Sequence, residues 1–457
     1  MWADVARKGK GESMLGFVQN WLAPKCNPIG VDFGSDCLRM AQVQWTGSEY
    51  KLLAAASADV PSHLRIDPNG RLAYFTDTVR DLLAQGDFKG RSAVLGLPAA
   101  WMHIQHLRMP KLDEESLRKA LPFEARGKLP IDPGAALLRH LIAGDVYQDQ
   151  EPKSEVIVMA AKRELVNQFL ASAARSKLDV VGMNVEPKAL LDCFNFVYRR
   201  KGDSEITQCF VDIGCGATRA MISRGGEILF ARVIPVGGDH FNRAVSQALK
   251  ITADDARLLR IKLCCQQPAL DEHREKQEIR PALPTAPEAP AAEPAGDSVE
   301  NSFALLGAGM EQTRKQTMGV EAQPAAVATA VAEAPAPAPV GDAQQAKAVE
   351  QACMEPLTKL IEELDLCRRY YEATFPSKPV ERLVFVGGEA RQRTLCQHIA
   401  RGMGLAAQVG DPMVRMSRIS EIGVESGIDR RQPQPTWAVA IGLSMGPANG
   451  AKPEAKG

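Results

Sequence analysis

The chain has 457 residues, enough for two hydrophobic cores, so two domains or lobes are expected. Lysine and arginine together number 55, as do aspartate and glutamate, and this balance provides no basic surface for nucleic acid. No apolar run reaches the roughly 18 to 20 residues that span a bilayer. The ten cysteines are scattered without a CxxC pair, which favours reduced core cysteines in a cytosol over disulfides or a metal cage.

The first part of the chain predicts strands and helices that alternate behind a short leader. Residues 1–26 are expected to form a flexible leader, because their beginning is polar and lacks the apolar core of a secretory signal. Apolar runs then predict strands over 29–33, 38–45, 50–60, 93–97 and 156–161. Helices are predicted over 76–83, 113–126 and 163–176.

The second part begins with a strand meander and is interrupted by a segment of biased composition. Strands are predicted over 209–213, 218–223, 228–235 and 382–386, and helices over 238–249, 253–263, 355–374, 393–402 and 438–445. Residues 266–345 are rich in Ala, Pro and Glu and bury too little apolar surface to offset their ordering entropy. They predict a disordered insertion, and residues 447–457 predict a polar tail.

Two segments 180 residues apart repeat one local design. Residues 32–35 (DFGS) and 212–215 (DIGC) each end an apolar strand in Asp-x-Gly and lead into a second strand. The glycines Gly34 and Gly214 would let the backbone approach a phosphate, so that turn N–H groups point at its oxygens. A strand-end Asp could hold a hydrated Mg²⁺. One Asp-x-Gly is common in ordinary turns, but two that each open a meander favour paired hairpins that clamp a triphosphate.

Two further motifs have an ordinary structural interpretation beside the functional one. Gly387 and Gly388 end an apolar strand before a helix, where a ring or ribose could lie against the backbone. A tight strand-to-helix turn would explain the same glycines. Glu186 precedes Pro187 at a predicted helix start, where a carboxylate could activate a water at a terminal phosphate. It could equally be an ordinary acid at a helix entrance.

The order of these four elements along the chain resembles that of the actin/FtsA/MreB superfamily. The order is the first hairpin, the acidic helix start, the second hairpin and the Gly-Gly strand end. Within that superfamily, the chain is most similar to the PilM family of type IV pilus assembly proteins. The similarity covers residues 27–265 and 355–446. The stretches that carry it are IGVDFGSDCLRMAQV, LDVVGMNVEPKALLDCF, VDIGCGATRAMISRGGEILFARVIPVGGDHFNRAV, ITADDARLLRIKL and RLVFVGGEARQRTLCQHIARGMGLAAQVGDPM.

The resemblance implies an α/β fold of the actin-like, ribonuclease H-like kind with two lobes. The first lobe would cover residues 27–205 and include a small extra α+β subdomain at about 100–160. The second lobe would cover residues 206–446 and contain the insertion 266–345.

The resemblance also implies ATP and Mg²⁺ as cofactors. The residues that would hold them are Asp32 and Asp212 for the metal, Gly34, Ser35, Gly214 and Gly216 for the phosphates, Arg260 on the nucleotide-side helix, and Gly387 and Gly388 for the adenosine. Glu186 would take the hydrolytic position. Two departures from the family pattern bear on nucleotide affinity. Arg257 stands where the family often has an acid that reaches the ribose, and Glu389 replaces the third glycine of the adenosine motif.

The function implied by the resemblance is that of a cytoplasmic ATP-binding scaffold for pilus or related secretion assembly. It would dock the cytoplasmic tail of an inner-membrane PilN-type protein and so be peripheral to the membrane at its inner face. Self-association is a further expectation, and ATP turnover would be slow or absent. The alternatives are an FtsA-like division protein, an enzyme of the same fold such as a sugar kinase or exopolyphosphatase, and a nucleotide-free pseudo-ATPase. The polar end GPANGAKPEAKG disfavours the FtsA-like alternative, since FtsA-type chains end in an amphipathic membrane helix.

Overall fold

The structure, a computed structural model, describes residues 26–65, 67–200, 202–266, 342–417, 428–429 and 431–446. The predicted tail lies outside these residues, as do the leader apart from Cys26 and almost all of the predicted insertion. A helix that begins at Asp342 overlaps the last residues of that insertion. No helix within the described ranges is long and apolar enough to cross a bilayer.

Strands and helices are numbered here in chain order. The strands are β1 (Ile29–Phe33), β2 (Cys37–Trp45), β3 (Tyr50–Asp59), β4 (Ser92–Gly96), β5 (Met102–Pro110), β6 (Ala136–Gln148), β7 (Glu151–Lys162), β8 (Asp179–Asn184), β9 (Thr207–Ile213), β10 (Thr218–Arg224), β11 (Glu227–Ile234), β12 (Arg382–Val386) and β13 (Ala406–Val409). The helices are α1 (Pro68–Gln85), α2 (Glu114–Glu124), α3 (Arg163–Arg175), α4 (Glu186–Val197), α5 (Gly238–Leu249), α6 (Ala253–Gln266), α7 (Asp342–Thr374), α8 (Arg393–Met403) and α9 (Ala438–Met445).

Two five-stranded sheets share one topology. The first has the order β3-β2-β1-β4-β8, and the second has the order β11-β10-β9-β12-β13. In each sheet the first three strands are antiparallel neighbours, and the last two join in parallel. The strands β1 and β9, which carry the two Asp-x-Gly motifs, therefore hold equivalent positions. This repeated mixed sheet is the ribonuclease H-like arrangement expected from the sequence.

The first sheet is packed against helices α1 and α3. Its strand β1 is fully buried, as expected for a mainly apolar strand at the centre of a sheet that is covered on both faces. Three phenylalanines connect the layers: the ring centroids of Phe33 and Phe75 lie 5.1 Å apart, and those of Phe75 and Phe169 lie 4.9 Å apart. Helix α1 is longer than the sequence predicted, because Asp67 caps it by accepting a hydrogen bond from the Asn69 N–H and Pro68 occupies its first turn.

A third, three-stranded antiparallel sheet has the order β5-β7-β6. Helix α2 covers one of its faces and shares a compact core with it, which includes Leu107, Leu117, Leu121, Val156 and Val158. Asp113 caps α2 by accepting hydrogen bonds from the Glu115 and Ser116 N–H groups. This α+β element lies between β4 and α3 along the chain, where the sequence predicted the extra subdomain. Strand β7 was predicted in part, whereas β5 and β6 were not.

Helices α4 and α9 pack closely against each other, and α9 also contacts the first sheet. A side chain at Gly442 of α9 would collide with the backbone of Ala189 in α4, so the close approach requires glycine there. Ser444 of α9 donates a hydrogen bond to the Pro28 carbonyl at 2.7 Å and accepts one from the Val43 N–H at 3.0 Å. The helix at the end of the described chain is thereby fixed to the first sheet.

The chain divides into two compact units. One unit combines the residues up to Gly238 with those from Lys378 onward and contains all three sheets. The other unit, Asp239–Ser377, contains α6, α7 and nearly all of α5, which share a small core around Val245, Ala256 and Val349. The predicted lobe boundaries, 27–205 and 206–446, follow a different division and stay a prediction.

Candidate functional site

The two Asp-x-Gly motifs form equivalent hairpins. Each aspartate stands at the carboxyl end of a central strand and is nearly buried, with Asp32 8% and Asp212 5% exposed. The first hairpin closes with a hydrogen bond from Gly34 N–H to the Cys37 carbonyl at 3.0 Å. The second closes with a hydrogen bond from Gly214 N–H to the Ala217 carbonyl at 3.1 Å. Both turns were predicted from the sequence, and their geometry is the same.

The tips of the two hairpins face each other. A side chain built on Gly216 of the second hairpin would come within 3.6 Å of the Ser35 hydroxyl in the first. Arg71 of α1 holds the first turn from behind, where its guanidinium donates to the carbonyls of Gly34 at 2.9 Å and Ser35 at 3.0 Å. Arg65 donates to the Cys215 sulfur of the second turn at 3.6 Å. A ligand placed between the tips would therefore meet two turns that are each held by an arginine from outside the hairpin.

The Gly-Gly strand end completes the same cleft. Gly387 has a left-handed backbone with φ of 87°, and a side chain there would collide with the carboxylate of Asp212. Its N–H donates to the Pro435 carbonyl at 3.2 Å. Gly388 is exposed, and a side chain built on it meets nothing within 4 Å. Gly387 thus has a structural reason to be glycine, whereas Gly388 leaves open surface at the cleft.

Glu186 begins helix α4 and is only 4% exposed. Both of its carboxylate oxygens face Arg219: Arg219 Nη2 donates to Oε1 at 3.0 Å, and Arg219 Nε lies 2.7 Å from Oε2. Burial raises the pKa of Glu186 to about 8, against the lowering effect of Arg219. A carboxylate engaged in this way is poorly placed to orient a water molecule. Its predicted hydrolytic role stays a prediction.

The carboxylates of Asp32 and Asp212 lie in the same cleft and repel each other. Burial is the main cause that raises the pKa of Asp32 to about 6, and the charge of Asp212 adds to the rise. Arg39 and Arg219 act in the opposite direction on the same carboxyl group. The two aspartates are therefore close enough for their charges to interact, and arginines offset the repulsion between them.

Arg219 is one of the site residues that the sequence analysis missed. It lies directly opposite Asp212 in the β9–β10 ladder, and Arg39 lies directly opposite Asp32 in the β1–β2 ladder. In both hairpins the arginine follows the aspartate by seven positions. This repeated Asp-x₆-Arg spacing was visible in the sequence, and cross-strand pairing in a hairpin would have placed both arginines in the cleft.

The cleft has a volume of about 470 Å³, including space open to solvent. Its lining includes eight of the predicted residues, namely Asp32, Gly34, Ser35, Glu186, Asp212, Gly214, Gly387 and Gly388. Only about 40 Å³ of this space is enclosed, which is less than a bound nucleotide needs. Glycine turns, cationic side chains and open surface at Gly388 suit a phosphorylated ligand, although the close hairpin tips must separate to admit a triphosphate.

A magnesium ion fits this arrangement less well. The described residues contain no group of three or more His, Cys, Asp or Glu side chains arranged to hold a metal. The carboxylate of Asp212 has the Arg219 guanidinium 3.7 Å away, in the region where a cation between the carboxylates would lie. The assignment of Asp32 and Asp212 as magnesium ligands therefore stays a prediction.

Arg260 belongs to the second compact unit. Its Nη1 donates to Asn242 Oδ1 at 2.7 Å, and its guanidinium carbon lies 5.1 Å from the centroid of the Phe241 ring. These contacts join α6 to α5 and account for the burial of an arginine at this position. Its predicted contact with a nucleotide stays a prediction.

The paired sheets, the facing hairpins and the added α+β element define an actin-like protein. Consistent with that class, the chain resembles a solved PilM-PilN type IV pilus biogenesis complex with 18% identity and a TM-score of 0.62, over 92% of this chain and 98% of that chain. A solved ethanolamine utilization protein EutJ from Carboxydothermus hydrogenoformans gives 13% identity and a TM-score of 0.44, over 93% and 90% of the two chains.

The family model for type IV pilus assembly protein PilM matches residues 30–266, and the chain belongs to this family. The model for cell division protein FtsA also matches residues 209–442. The resemblance stated from the sequence is thereby confirmed.

Proposed function

We propose that this protein is a nucleotide-binding scaffold for type IV pilus or related secretion assembly, in which ATP is held between the two hairpins. The observation that carries the proposal is the meeting of Ser35 and Gly216, the tips of two equivalent hairpins, in a cleft lined with arginines. Backbone N–H groups at such turns suit phosphate oxygens, and arginines supply the opposite charge. The sequence-based prediction adds a hydrated Mg²⁺ at Asp32 and Asp212.

The state of Glu186 supports binding without rapid turnover. Hydrolysis needs a group that accepts a proton from water or orients it at the terminal phosphate. Glu186 is the predicted candidate, but its two oxygens are engaged by the Arg219 guanidinium. ATP would then act chiefly as a ligand that favours one conformation of the protein.

The proposed partner is the cytoplasmic tail of an inner-membrane PilN-type protein, and the resemblance to a solved PilM-PilN complex supports a partner of the PilN type. The proposed docking surface is the three-stranded sheet, in which β6 is an outer strand. An extended tail could add to such an edge by backbone hydrogen bonds. Apolar side chains are available nearby, since Ile142 of β6 is 49% exposed, Phe123 of α2 is 72% exposed and Tyr147 is 79% exposed. This partner would keep the protein at the inner face of the membrane.

Two titrations test the proposal. The first measures ATP binding by calorimetry, and a complete lack of binding would remove the nucleotide from the proposed function. The second titrates a synthetic peptide of the PilN-type cytoplasmic tail from the same organism. Ile142→Asp should weaken peptide binding by about tenfold or more, because a charge would enter an apolar contact. Val414→Asp is the matched control, since Val414 is 64% exposed and lies outside the three-stranded sheet. Equal peptide affinity in both variants would contradict the docking surface.

A further inference from the structure

Each hairpin carries its own cation opposite its aspartate. Asp32 pairs with Arg39 across β1 and β2, and Asp212 pairs with Arg219 across β9 and β10. Directly opposite residues of an antiparallel pair project from the same face, so both arginines accompany their aspartates into the cleft. Both arginines line it. The two hairpins thus contribute two guanidinium groups, whose combined charge equals that of one divalent cation.

The position of Arg219 is fixed by two acidic side chains. Its guanidinium contacts both oxygens of Glu186, at 3.0 Å and 2.7 Å, and Nη1 lies 3.7 Å from Asp212 Oδ2. Its side chain is only 12% exposed. A side chain built on Gly214 would come within 2.5 Å of the same Nη1. The guanidinium therefore lies over the hairpin glycine, next to the place where a phosphate would approach the turn.

Arg39 holds the equivalent ladder position in the first hairpin, opposite Asp32. Burial by itself would lower the pKa of Arg39, but the acidic groups of Cys37, Asp36 and Asp32 nearby outweigh that effect and raise it. The guanidinium of Arg39 thus keeps its charge inside the cleft. The same holds for Arg219, whose pKa is raised by Glu186, Asp212 and Asp32 in spite of its burial.

We propose that Arg219 and Arg39 take the place of a divalent cation, so that this protein binds ATP without magnesium. The inference rests on the proposed nucleotide site and concerns which positive charge neutralises the phosphates there. A guanidinium is permanently charged, and its planar set of donors matches phosphate oxygens. Mg²⁺ at a phosphate site instead needs one or two free carboxylates beside water and phosphate oxygens, and here Asp212 and Glu186 already face Arg219.

Calorimetric titration of ATP in excess EDTA and in Mg²⁺ tests the inference on the wild-type chain. The dissociation constants in the two buffers should agree within about threefold. In EDTA, Arg219→Gln should weaken ATP binding by about ten- to a hundredfold, and added Mg²⁺ should restore part of the loss. Arg118→Gln is the matched control, because the Arg118 side chain is 74% exposed on α2. It should bind ATP as the wild type does.

Arg219→Lys provides a second variant in case the glutamine variant fails to fold. It keeps a positive charge beside Glu186 and should retain ATP binding in EDTA with a smaller loss than Arg219→Gln. Wild-type binding that appears only with Mg²⁺ would overturn this inference and leave the proposed nucleotide site intact. Absence of ATP binding in both buffers would overturn the nucleotide site and this inference together. Unchanged affinity of a folded Arg219→Gln in EDTA would also overturn it.

Discussion

His106 Nε2 lies 3.2 Å from the carbonyl oxygen of Ala231 and so connects the three-stranded sheet to strand β11. The His106 ring also stacks on Phe230, with centroids 4.7 Å apart. On its other side, Nδ1 lies 3.0 Å from Glu155 Oε1, and Glu155 is 1% exposed. Strand β11 pairs with β10, the second strand of the Asp212 hairpin. This contact therefore joins the proposed docking element to the sheet that carries the second phosphate hairpin.

Loss of this contact should destabilise the protein. His106→Ala removes the stacking on Phe230 and one partner of the buried Glu155 carboxylate. The free energy of unfolding should fall by about 1–3 kcal/mol, the usual cost of a buried polar group that loses its partner. Urea unfolding followed by circular dichroism measures the change. His63→Ala is the matched control, because His63 is exposed, and its unfolding midpoint should be unchanged. If the unfolding midpoint of His106→Ala equals that of the wild type, the contact contributes no net stability.

The two glycines of the β12 strand end should respond differently to substitution. Gly387→Ala places a side chain on a left-handed backbone and against Asp212, so the free energy of unfolding should fall by at least about 1–2 kcal/mol. Gly388→Ala should change it by no more than about 0.5 kcal/mol, because its side chain enters open space. Thermal unfolding of both variants checks this contrast.

A larger side chain at Gly388 should affect the nucleotide instead of the fold. Gly388→Leu extends into the open part of the cleft where the adenosine is predicted to lie. ATP affinity should fall by about tenfold or more while the unfolding midpoint stays that of the wild type. If the variant is stable and binds ATP as tightly as the wild type, the adenosine lies elsewhere.

Substitution of the two aspartates distinguishes Mg²⁺ from arginine as the source of positive charge at the phosphates. If Asp32 and Asp212 hold Mg²⁺, Asp32→Asn and Asp212→Asn should each cost about 1.5–3 kcal/mol of ATP binding in magnesium buffer. If arginines supply the charge, each substitution removes an anion that repels the phosphates, and ATP affinity in magnesium buffer and in EDTA should stay equal or rise. We expect the second result. Calorimetry measures it, with the exposed Asp81→Asn of α1 as the control.

Cys215 should be the cysteine of the cleft that reacts with an alkylating reagent. It is partly exposed at the tip of the second hairpin and accepts a hydrogen bond from Arg65. Burial raises the pKa of the Cys37 thiol to about 11 and raises that of Cys193 still further. Iodoacetamide labelling followed by peptide mass spectrometry should modify Cys215 about tenfold faster than these two.

ATP should protect Cys215 from that reaction if the nucleotide lies between the hairpins. The partly exposed Cys353 in the second compact unit is an internal control whose labelling rate should not change. Equal labelling of Cys215 with and without saturating ATP would place the ligand away from the hairpin tips.

Local sequence patterns determined most of what was predicted correctly. The apolar strand that ends in Asp-x-Gly specifies β1 and β9 and their turns, because strand burial and glycine turns act over a few neighbouring residues. The same holds for helices α2 and α3, whose boundaries were predicted closely. Strands β5 and β6 were missed, since their polar residues interrupt the apolar alternation, and it is pairing with β7 that stabilises them.

Only the tertiary structure decided which side chain pairs with Glu186 in the candidate site. The sequence placed Asp32, Glu186 and Asp212 in one cleft by resemblance, but it left the partner of Glu186 unidentified. That partner is Arg219, 33 residues further along the chain, and the pair forms because α4 begins next to the second hairpin. The contact between His106 and Ala231, 125 residues apart, was likewise invisible. Such contacts depend on how sheets and helices pack against each other, and no local periodicity encodes that packing.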